Sequence, residues 1–363
     1  MAKIFSPIKV GQHNLKHRVV LAPLTRFRVS LDAVPTELLV EYYRQRATPG
    51  GLLITEATFI SRLAGGYHQA PGIYTTDQIE KWKKVTTAVH EKGAVIFLQL
   101  WHLGRAGSSK LNPNGEPIVS ASAIPMPGKT ANETPRALEI HEIKDIIQTY
   151  KQAALNAIEA GFDGVEIHNA NGYLLDQFVN SGSNKRADQY GGSVENRARF
   201  SLEVVDAIVS AIGPERTAIR FSPGGRVQGM QDDNPIETWS YLTSSLQQKH
   251  SQLAYLHFIE PRSSFFNDSV NTADTLDPFR KLWHGPFITA GGFSNAVEHA
   301  VNVAEKTNNL IAFGRAFIAN PDLPERIRNK LPLNKYNRRT FYTHDAIGYI
   351  DYPFYEERNQ SKL

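Results

Sequence analysis

The chain has 363 residues, of which 41% are hydrophobic and 21% are charged, an ordinary globular composition that leaves room for a large core. It contains no cysteine, which excludes disulfides, a cysteine nucleophile and an iron–sulfur cluster bound by thiolates. The formal net charge of +4 is small for this length, basic and acidic residues are interspersed, and no apolar run approaches the length of a membrane span. We therefore expect neither a nucleic-acid partner nor a membrane partner.

Eight short apolar runs recur along the chain and alternate with helical patterns, after a predicted hairpin over residues 9–15. Because the runs do not alternate in polarity, each is typical of a strand buried on both faces, as in a parallel sheet. The predicted strands cover residues 18–22, 51–55, 94–98, 165–167, 218–221, 253–259, 287–290 and 310–313.

The predicted helices cover residues 36–46, 77–91, 139–160, 193–212, 235–249 and 322–330, with further helices beginning at Leu174 and after Ser294. Thr36, Asp77 and Ser294 are the expected N-caps, because their side chains can accept a hydrogen bond from the first helical turn. Eight strands that alternate with helices predict a (β/α)8 TIM barrel rather than an open doubly wound sheet. The hairpin is expected to close the bottom of the barrel.

We expect a single domain that spans residues 1–363. Residues 106–136 form a long insertion after the third strand, and it is rich in Pro, Gly, Asn and Ser. A connection of this length in a compact domain is typical of a functional loop or lid. Residues 331–363 form a C-terminal tail beyond the last predicted helix.

The fourth predicted strand is followed closely by His168, Asn171 and Tyr173. Two neutral donors and a phenol at one strand end can hold an oxygen atom and deliver a proton beside it. Alternatively, the His and the Asn only satisfy local backbone groups, and each residue taken alone fits that interpretation better. The three together favour catalysis, because barrel enzymes place their chemistry at the carboxyl ends of the strands.

Glycines follow the last two predicted strands: Gly291 and Gly292 precede Ser294, and Gly314 precedes Arg315. Open backbone, a helix N-terminus and a guanidinium favour phosphate, which barrels commonly bind after strands seven and eight. The alternative is that these glycines only form tight turns between strand and helix.

Three polar residues follow other strands and offer a hydroxyl, an amide and a cation. Thr25, Gln99 and Arg220 together suit the edge of a polar heteroaromatic ring lying across the barrel mouth. Alternatively, Arg220 pairs with Glu56 or Glu260, and Gln99 is a satisfied core amide.

Seven motifs carry a resemblance that covers nearly the whole chain. They are Leu21-Ala22-Pro23-Leu24-Thr25-Arg26, Thr55-Glu56-Ala57-Thr58, Gln99-Leu100-Trp101, residues 168–178, Ala290-Gly291-Gly292-Phe293, Phe313-Gly314-Arg315 and Asp351-Tyr352-Pro353. With these motifs the chain resembles the Old Yellow Enzyme family of FMN-dependent ene-reductases, and it is most similar to the eukaryotic members. The resemblance implies an FMN cofactor, NADPH or NADH as reductant, and an enone (an α,β-unsaturated carbonyl compound) as substrate.

The resemblance also implies a role for each matching residue. Those implied to contact the flavin ring are Pro23, Thr25, Ala57, Gln99 and Arg220, and those implied to bind the phosphate are Gly292, Gly314 and Arg315. His168 and Asn171 would stabilise the charge that develops on the substrate carbonyl oxygen after hydride transfer from flavin N5 to the β-carbon. Tyr173 would protonate the α-carbon. The residues implied to wall the substrate pocket are Trp101 and Tyr355, with Phe265 or Phe266 as additions.

Several departures from the family pattern leave the substrate preference open. Asn169 replaces a usual Gly, Phe221 replaces a common Leu, and residues 224–226 and 262–275 follow no family pattern.

One alternative function is a flavin-dependent isomerase or dehydrogenase, and another is a flavin-binding protein without turnover. Tyr173 favours net reduction, and the complete catalytic set argues against a mere binding protein. The sequence is compatible with a monomer and with a homodimer.

The C-terminal tripeptide Ser361-Lys362-Leu363 matches the peroxisomal targeting signal, which an import receptor reads. Residues 1–7 lack the apolar core of a secretory signal. We therefore expect peroxisomal import, and a cytoplasmic location if the tripeptide is a coincidental tail.

Overall fold

The computed structural model describes residues 2–129, 133–261 and 275–355. Its strands, in chain order, are β1 (Ile8–Val10), β2 (His13–Leu15), β3 (Val19–Leu21), β4 (Leu52–Ile54), β5 (Thr58–Phe59), β6 (Val95–Trp101), β7 (Val119–Ser120), β8 (Arg136–Ala137), β9 (Gly164–Asn169), β10 (Thr217–Phe221), β11 (Tyr255–Ile259), β12 (Phe287–Ala290) and β13 (Leu310–Phe313). Its helices are α1 (Glu37–Arg46), α2 (Thr76–His90), α3 (Ile140–Glu159), α4 (Leu174–Val179), α5 (Val194–Ile212), α6 (Pro235–Lys249), α7 (Asp277–Leu282), α8 (Val297–Thr307), α9 (Arg315–Ala319) and α10 (Leu323–Arg328).

Eight of these strands form one closed parallel barrel. The ring runs through β3, β4, β6, β9, β10, β11, β12 and β13, and β13 pairs with β3 to close it. Each predicted apolar run overlaps one of these strands, so the predicted (β/α)8 TIM barrel is confirmed. Strand β6 continues beyond its predicted end, which places Gln99 and Trp101 in the barrel wall itself.

Two layers of apolar side chains pack against the two faces of the barrel sheet. Along β6, Phe97 belongs to the inner cluster, whereas Ile96 and Leu98 belong to the outer cluster that also contains helix residues. This alternation follows from the two-residue period of a strand. Val10 and Leu15 of the antiparallel β1–β2 hairpin join the inner cluster, so the hairpin closes the bottom of the barrel as predicted.

Two of the predicted N-caps near the start of the chain behave differently from expectation. Thr75, rather than Asp77, caps α2, because its hydroxyl accepts from the Gln78 N–H at 3.2 Å and the Gln78 side chain accepts from the Thr75 N–H. Thr36 precedes α1 as predicted, but its hydroxyl donates to the Arg28 carbonyl at 2.7 Å instead of capping the helix. Tertiary contacts decide which of several adjacent polar residues becomes the cap.

The prediction for Ser294 is wrong in the same way. Helix α8 begins at Val297 with Ala296 as its N-cap, and the Ser294 hydroxyl accepts from the Ala316 N–H at 3.2 Å. Ala316 belongs to α9, a five-residue helix that is too short to produce a hydrophobic period and was therefore not predicted. Ser294 thus joins the two loops that were expected to bind phosphate.

The insertion consists, in its described part, of short turns and one two-stranded pairing of β7 with β8. The buried side chain of Arg105 ties it to the loop after β10: it donates to the Ile124 carbonyl at 3.2 Å and to the Gln228 carbonyl at 3.1 Å. Met126 packs beside the apolar cluster that contains Trp101. Its function as a lid remains a prediction.

The C-terminal tail, described here through residue 355, is held by buried arginines rather than by a strand ladder. Arg28 donates to the carbonyls of Thr340 at 2.9 Å and Ile347 at 3.1 Å, and Arg26 donates to the Gly348 carbonyl at 2.7 Å. Arg46 and Arg326 donate to further tail carbonyls, those of Tyr349, Pro332 and Pro353. No helix within the three described ranges is long and apolar enough to cross a membrane.

Candidate active site

A cavity of about 560 Å³ opens at the carboxyl ends of the barrel strands. All the residues predicted to bind the cofactor and all those predicted to be catalytic line it, although they come from separate parts of the chain. They are Pro23, Thr25, Ala57, Gln99, Arg220, Gly292, Gly314, Arg315, His168, Asn171 and Tyr173, and Trp101 lines the cavity with them. Parallel pairing brings them together, because it places every strand end at the same rim.

The turn between β9 and α4 presents two of the catalytic candidates. Asn171 and Gly172 both have positive φ, 61° and 78°, so the chain reverses sharply after the strand, as the Asn-Gly pair predicts. A Cβ on Gly172 would lie 2.9 Å from the Val227 carbonyl, so this position requires glycine. The Ser222 hydroxyl accepts from the Asn171 N–H at 2.8 Å, and the Asp176 carboxyl accepts from the Gly172 N–H at 2.7 Å.

The side chains of Trp101, His168 and Tyr173 form one wall of the cavity and pack against one another. The His168 and Tyr173 ring centres are 4.9 Å apart and nearly perpendicular, and the Trp101 ring lies edge to face with Tyr173 at 4.9 Å. Trp101 and His168 are in the strands β6 and β9, and Tyr173 directly precedes α4. Their mutual packing limits the rotation of each ring and therefore fixes the direction of its polar atoms.

The side chains of His168 and Tyr173 are both neutral at pH 7. Burial, and to a lesser extent the charge on Arg220, lowers the pKa of His168 well below its usual value, so its imidazole is neutral. Burial raises the pKa of Tyr173 above its usual value, so its phenol keeps its proton. Nδ1 of His168 is buried and has no hydrogen-bond partner among the described residues, as expected of an atom that meets a ligand.

The acidic residue that most influences Arg220 is one that sequence analysis missed. Neither Glu56 nor Glu260 is its main counter-charge; the buried carboxylate of Glu166, in β9, acts on the guanidinium most strongly. Gln99 donates to the buried Glu166 at 2.7 Å, as a satisfied core amide does, and it also lines the cavity; its contact with a bound ring remains a prediction. The available signal was an acidic residue inside the apolar run of residues 165–167.

The opposite end of the cavity is suited to an anion. Gly291 and Gly292 have φ of 109° and 76°, which gives a bare backbone there. Arg315 and Ser294 line the same end, and the guanidinium of Arg315 donates to the Tyr336 hydroxyl at 3.2 Å. These residues fit the phosphate of FMN, and the polar set around Gln99 and Arg220 fits its ring. Nε of Arg220 is a buried donor with no partner in the described part of the chain, which supports a ligand at the ring end.

Comparison with known proteins decides the family. The profile of the NADH:flavin oxidoreductase / NADH oxidase family matches residues 3–334. The chain belongs to this family. It is an Old Yellow Enzyme, an FMN-dependent NAD(P)H oxidoreductase that reduces the C=C bond of α,β-unsaturated carbonyl compounds.

Relatives are similar over almost the full length of the chain. It is 49% identical over 358 residues to 12-oxophytodienoate reductase 1 of Oryza sativa subsp. japonica, covering 98% of this chain and 93% of the relative. It is 46% identical over 362 residues to 12-oxophytodienoate reductase 2 of Arabidopsis thaliana, covering 97% and 96%. The structure of morphinone reductase matches with a TM-score of 0.91 and 43% identity, covering 98% of this chain and 97% of that one.

The predicted substrate wall of this ene-reductase needs one correction. Tyr355 is not among the described residues that line the cavity; its ring lies near Arg326 at 5.8 Å, and its N–H donates to Asp322 at 2.8 Å. Phe265 and Phe266 lie outside the described residues. The tail motif was recognised, but a tail with aromatic residues at several positions gives no pattern that selects the one facing the cavity.

Aromatic residues that were not predicted complete the mouth of the cavity. They are Phe27, Tyr67, Phe341 and Tyr342. Tyr67 lies 5.7 Å from Trp101 between ring centres, and Tyr342 lies 5.7 Å from Phe27 and is 64% exposed. The residues that sequence analysis found lie at strand ends, whereas these four lie in loops and in the tail.

Proposed function

We propose that His168 and Asn171 bind the carbonyl oxygen of the enone and that Tyr173 supplies the proton to its α-carbon. The observation that carries this proposal is that all three line the cavity that also contains the residues fitted to FMN. Bound FMN supplies the hydride that reaches the β-carbon. The chain's own residues position the substrate and complete the reaction.

The neutral state of His168 and Tyr173 suits their proposed roles as oxygen-binding donor and proton donor. As hydride reaches the β-carbon, negative charge develops on the carbonyl oxygen, and neutral donors fixed in a buried site stabilise it without reorganisation. His168 is neutral because it is buried, and the backbone of Asn171 is fixed by Ser222. Tyr173 retains its proton at neutral pH and can therefore act as a general acid.

We also propose where the cofactor is held. Pro23, Thr25, Ala57, Gln99 and Arg220 contact its ring, and Gly292, Gly314 and Arg315 bind its phosphate. In support, the first set lies at the ends of β3, β4, β6 and β10, and the second set lies at the ends of β12 and β13. Barrels commonly bind phosphate at the latter position.

A flat cyclic enone is the proposed substrate class. Trp101, Tyr67 and Tyr342 supply flat aromatic surfaces at the mouth, and such surfaces favour a ring that can stack on them. Two of the relatives are named for reduction of 12-oxophytodienoate and one structural neighbour for reduction of morphinone. The side-chain volume at positions 67 and 342 therefore governs which rings enter.

The proposed roles are tested by separating the two half-reactions. FMN bound to the protein is reduced anaerobically with dithionite, and its visible band is followed after 2-cyclohexenone is added. The wild type should recover the oxidised flavin band, with a product two hydrogens heavier. His168→Leu should recover it much more slowly at low enone concentration, because the oxygen loses one donor. Full-rate recovery in His168→Leu contradicts the assigned oxygen site.

We further propose that the protein is imported into peroxisomes. Ser361-Lys362-Leu363 supports this, and the tripeptide lies outside the described residues. A fluorescent protein fused to the N-terminus leaves the tripeptide at the end of the chain. The fusion should co-localise with a peroxisomal marker, and deletion of Leu363 should release it to the cytosol. A distribution unaffected by the deletion contradicts import through this signal.

A further inference from the structure

We infer that Glu166 is a positioning residue that acts on the bound FMN through Gln99 and Arg220 and so tunes the affinity and the reduction potential of the flavin. The inference rests on the ring position proposed above. Glu166 is absent from the cavity lining itself and is fully buried beneath it. Its influence therefore passes through its two neighbours.

The register of the barrel places this carboxylate between the two ring-binding residues. Glu166 lies opposite Gln99 in the β6–β9 pairing and opposite Ala218 in the β9–β10 pairing. Arg220, two residues beyond Ala218, projects from the same face of β10, one layer nearer the cavity. Glu166 thus lies beside Gln99 in the register and one layer below Arg220.

Both carboxylate oxygens have buried donors. The Gln99 side-chain N–H donates to Oε1 at 2.7 Å, and Nδ1 of His257 donates to Oε2 at 2.8 Å. Because the amide nitrogen of Gln99 is engaged by Glu166, its carbonyl oxygen remains for the cavity. Glu166 therefore orients the amide of Gln99 so that its carbonyl oxygen is available to a ring in the cavity, and one N–H of the amide remains for a second acceptor.

The charges of this layer also balance. Burial lowers the pKa of His257, which makes its imidazole neutral and leaves Nδ1 as the donor. Burial alone would raise the pKa of Glu166, but His257, Arg220 and Gln99 outweigh it, so the group is a carboxylate at pH 7. The negative charge of Glu166 thus offsets the positive charge of Arg220 in a buried region, where charges are weakly screened.

This balance predicts the direction of the potential shift. Without the Glu166 charge, Arg220 presents an unopposed positive charge to the ring and favours the reduced cofactor, which carries more negative charge. The reduction potential should therefore rise. A carboxylate that merely satisfied core donors would leave the potential of the flavin unchanged when replaced by an amide of equal shape.

The experiment compares FMN bound to the wild type and to Glu166→Gln, with Glu203→Gln as the matched control. Glu203 is a partly exposed carboxylate on α5 that pairs with Lys144 and does not line the cavity. The readouts are the dissociation constant of FMN, from fluorescence quenching, and the two-electron midpoint potential, from spectroelectrochemistry. Glu166→Gln should raise the potential by about 30 mV, which corresponds to a tenfold change in the redox equilibrium. It should also weaken FMN binding roughly tenfold, as expected when a buried hydrogen bond to a charged group is lost.

Two further variants make the result decisive. Glu166→Asp keeps the charge but draws it away from Gln99, so it should weaken FMN binding while shifting the potential less than Glu166→Gln does. If Glu166→Gln does not fold, unchanged FMN affinity in Glu166→Asp overturns the inference.

Gln99→Leu tests the ring position separately. If Gln99→Leu alters FMN binding but Glu166→Gln resembles the control, this inference alone is wrong; if Gln99→Leu also has no effect, the proposed ring position falls with it.

Discussion

The strand-end wall and the C-terminal tail border the same cavity but are built by different interactions. His168 and Arg220 belong to barrel strands with ladder partners on both sides. Phe341 and Tyr342 belong to a tail whose carbonyls are held by the side chains of buried arginines. His168 and Arg220 thus lie on the hydrogen-bonded barrel, while the outer wall lies on a segment outside the strand ladder.

Replacing Tyr173 on the strand-end wall should have the largest effect. Tyr173→Phe preserves the ring packing but removes the proposed proton donor, so enone turnover should fall by about 10²–10⁴-fold. Reduction of the flavin by NADPH should remain near the wild-type rate, because it does not use this proton. Stopped-flow measurement of both half-reactions checks the expectation, and full enone turnover by Tyr173→Phe contradicts the assignment.

Breaking the attachment of the tail should affect stability more than chemistry. Arg28→Met leaves several buried or partly buried tail carbonyls without their donor, which should lower the free energy of unfolding by roughly 3 kcal/mol. The KM for cyclic enones should rise because Tyr342 is no longer held, while NADPH still reduces the flavin. Urea unfolding and steady-state kinetics measure the two effects. Arg44→Met, which removes an exposed pair with Glu41, is the control and should stay within about 0.5 kcal/mol.

A buried carboxyl group lies beneath each region, and the pair gives a pH test. Burial raises the pKa of Asp176, under the catalytic turn, and of Glu56, beside Arg26, to about 7. Between about pH 4 and pH 7 these two groups bind more protons in the folded state than in the unfolded state, so their contribution to the free energy of unfolding falls as pH rises and levels off above pH 7.

Asp176→Asn and Glu56→Gln should each remove part of this slope, on the order of 2 kcal/mol per group. As the pH rises from 5 to 8, the free energy of unfolding of each variant should therefore increase relative to that of the wild type. Chemical unfolding at both pH values measures the gain. A slope unchanged in both variants would show that neither carboxyl group is protonated in the folded protein near pH 6.

The smallest effect on activity and stability is expected at Tyr342, an exposed residue of the tail. Tyr342→Ala should raise the KM for 2-cyclohexenone a few-fold and change the free energy of unfolding by less than about 0.5 kcal/mol, because the side chain is 64% exposed. Tyr355→Phe should leave the KM unchanged, because Tyr355 lies against Arg326 rather than in the cavity. A larger KM effect at Tyr355 than at Tyr342 would restore the original prediction.

The same division explains what could be predicted from the sequence. Strand ends were predictable because apolar runs locate strands and parallel pairing then brings residues such as Thr25, Gln99 and Arg220 to one rim. The actual N-caps near Asp77 and Ser294 were not predictable, because tertiary contacts decide which of several adjacent residues caps the helix. The position of Tyr342 in the cavity lining was not predictable either, because an irregular tail lacks the helix or strand periodicity that shows which side chains face inward.

Closure of the ring has a consequence for synthesis of the protein. β3 is made first among the barrel strands, yet one of its two neighbours, β13, is made last. On the ribosome, β3 therefore presents an unpaired edge until nearly the whole chain has emerged, and such an edge can pair wrongly with another nascent chain. Gly314 and Arg315, which we propose bind the phosphate, follow β13. We therefore expect FMN to bind only after this last strand has formed, too late to assist the partly made barrel.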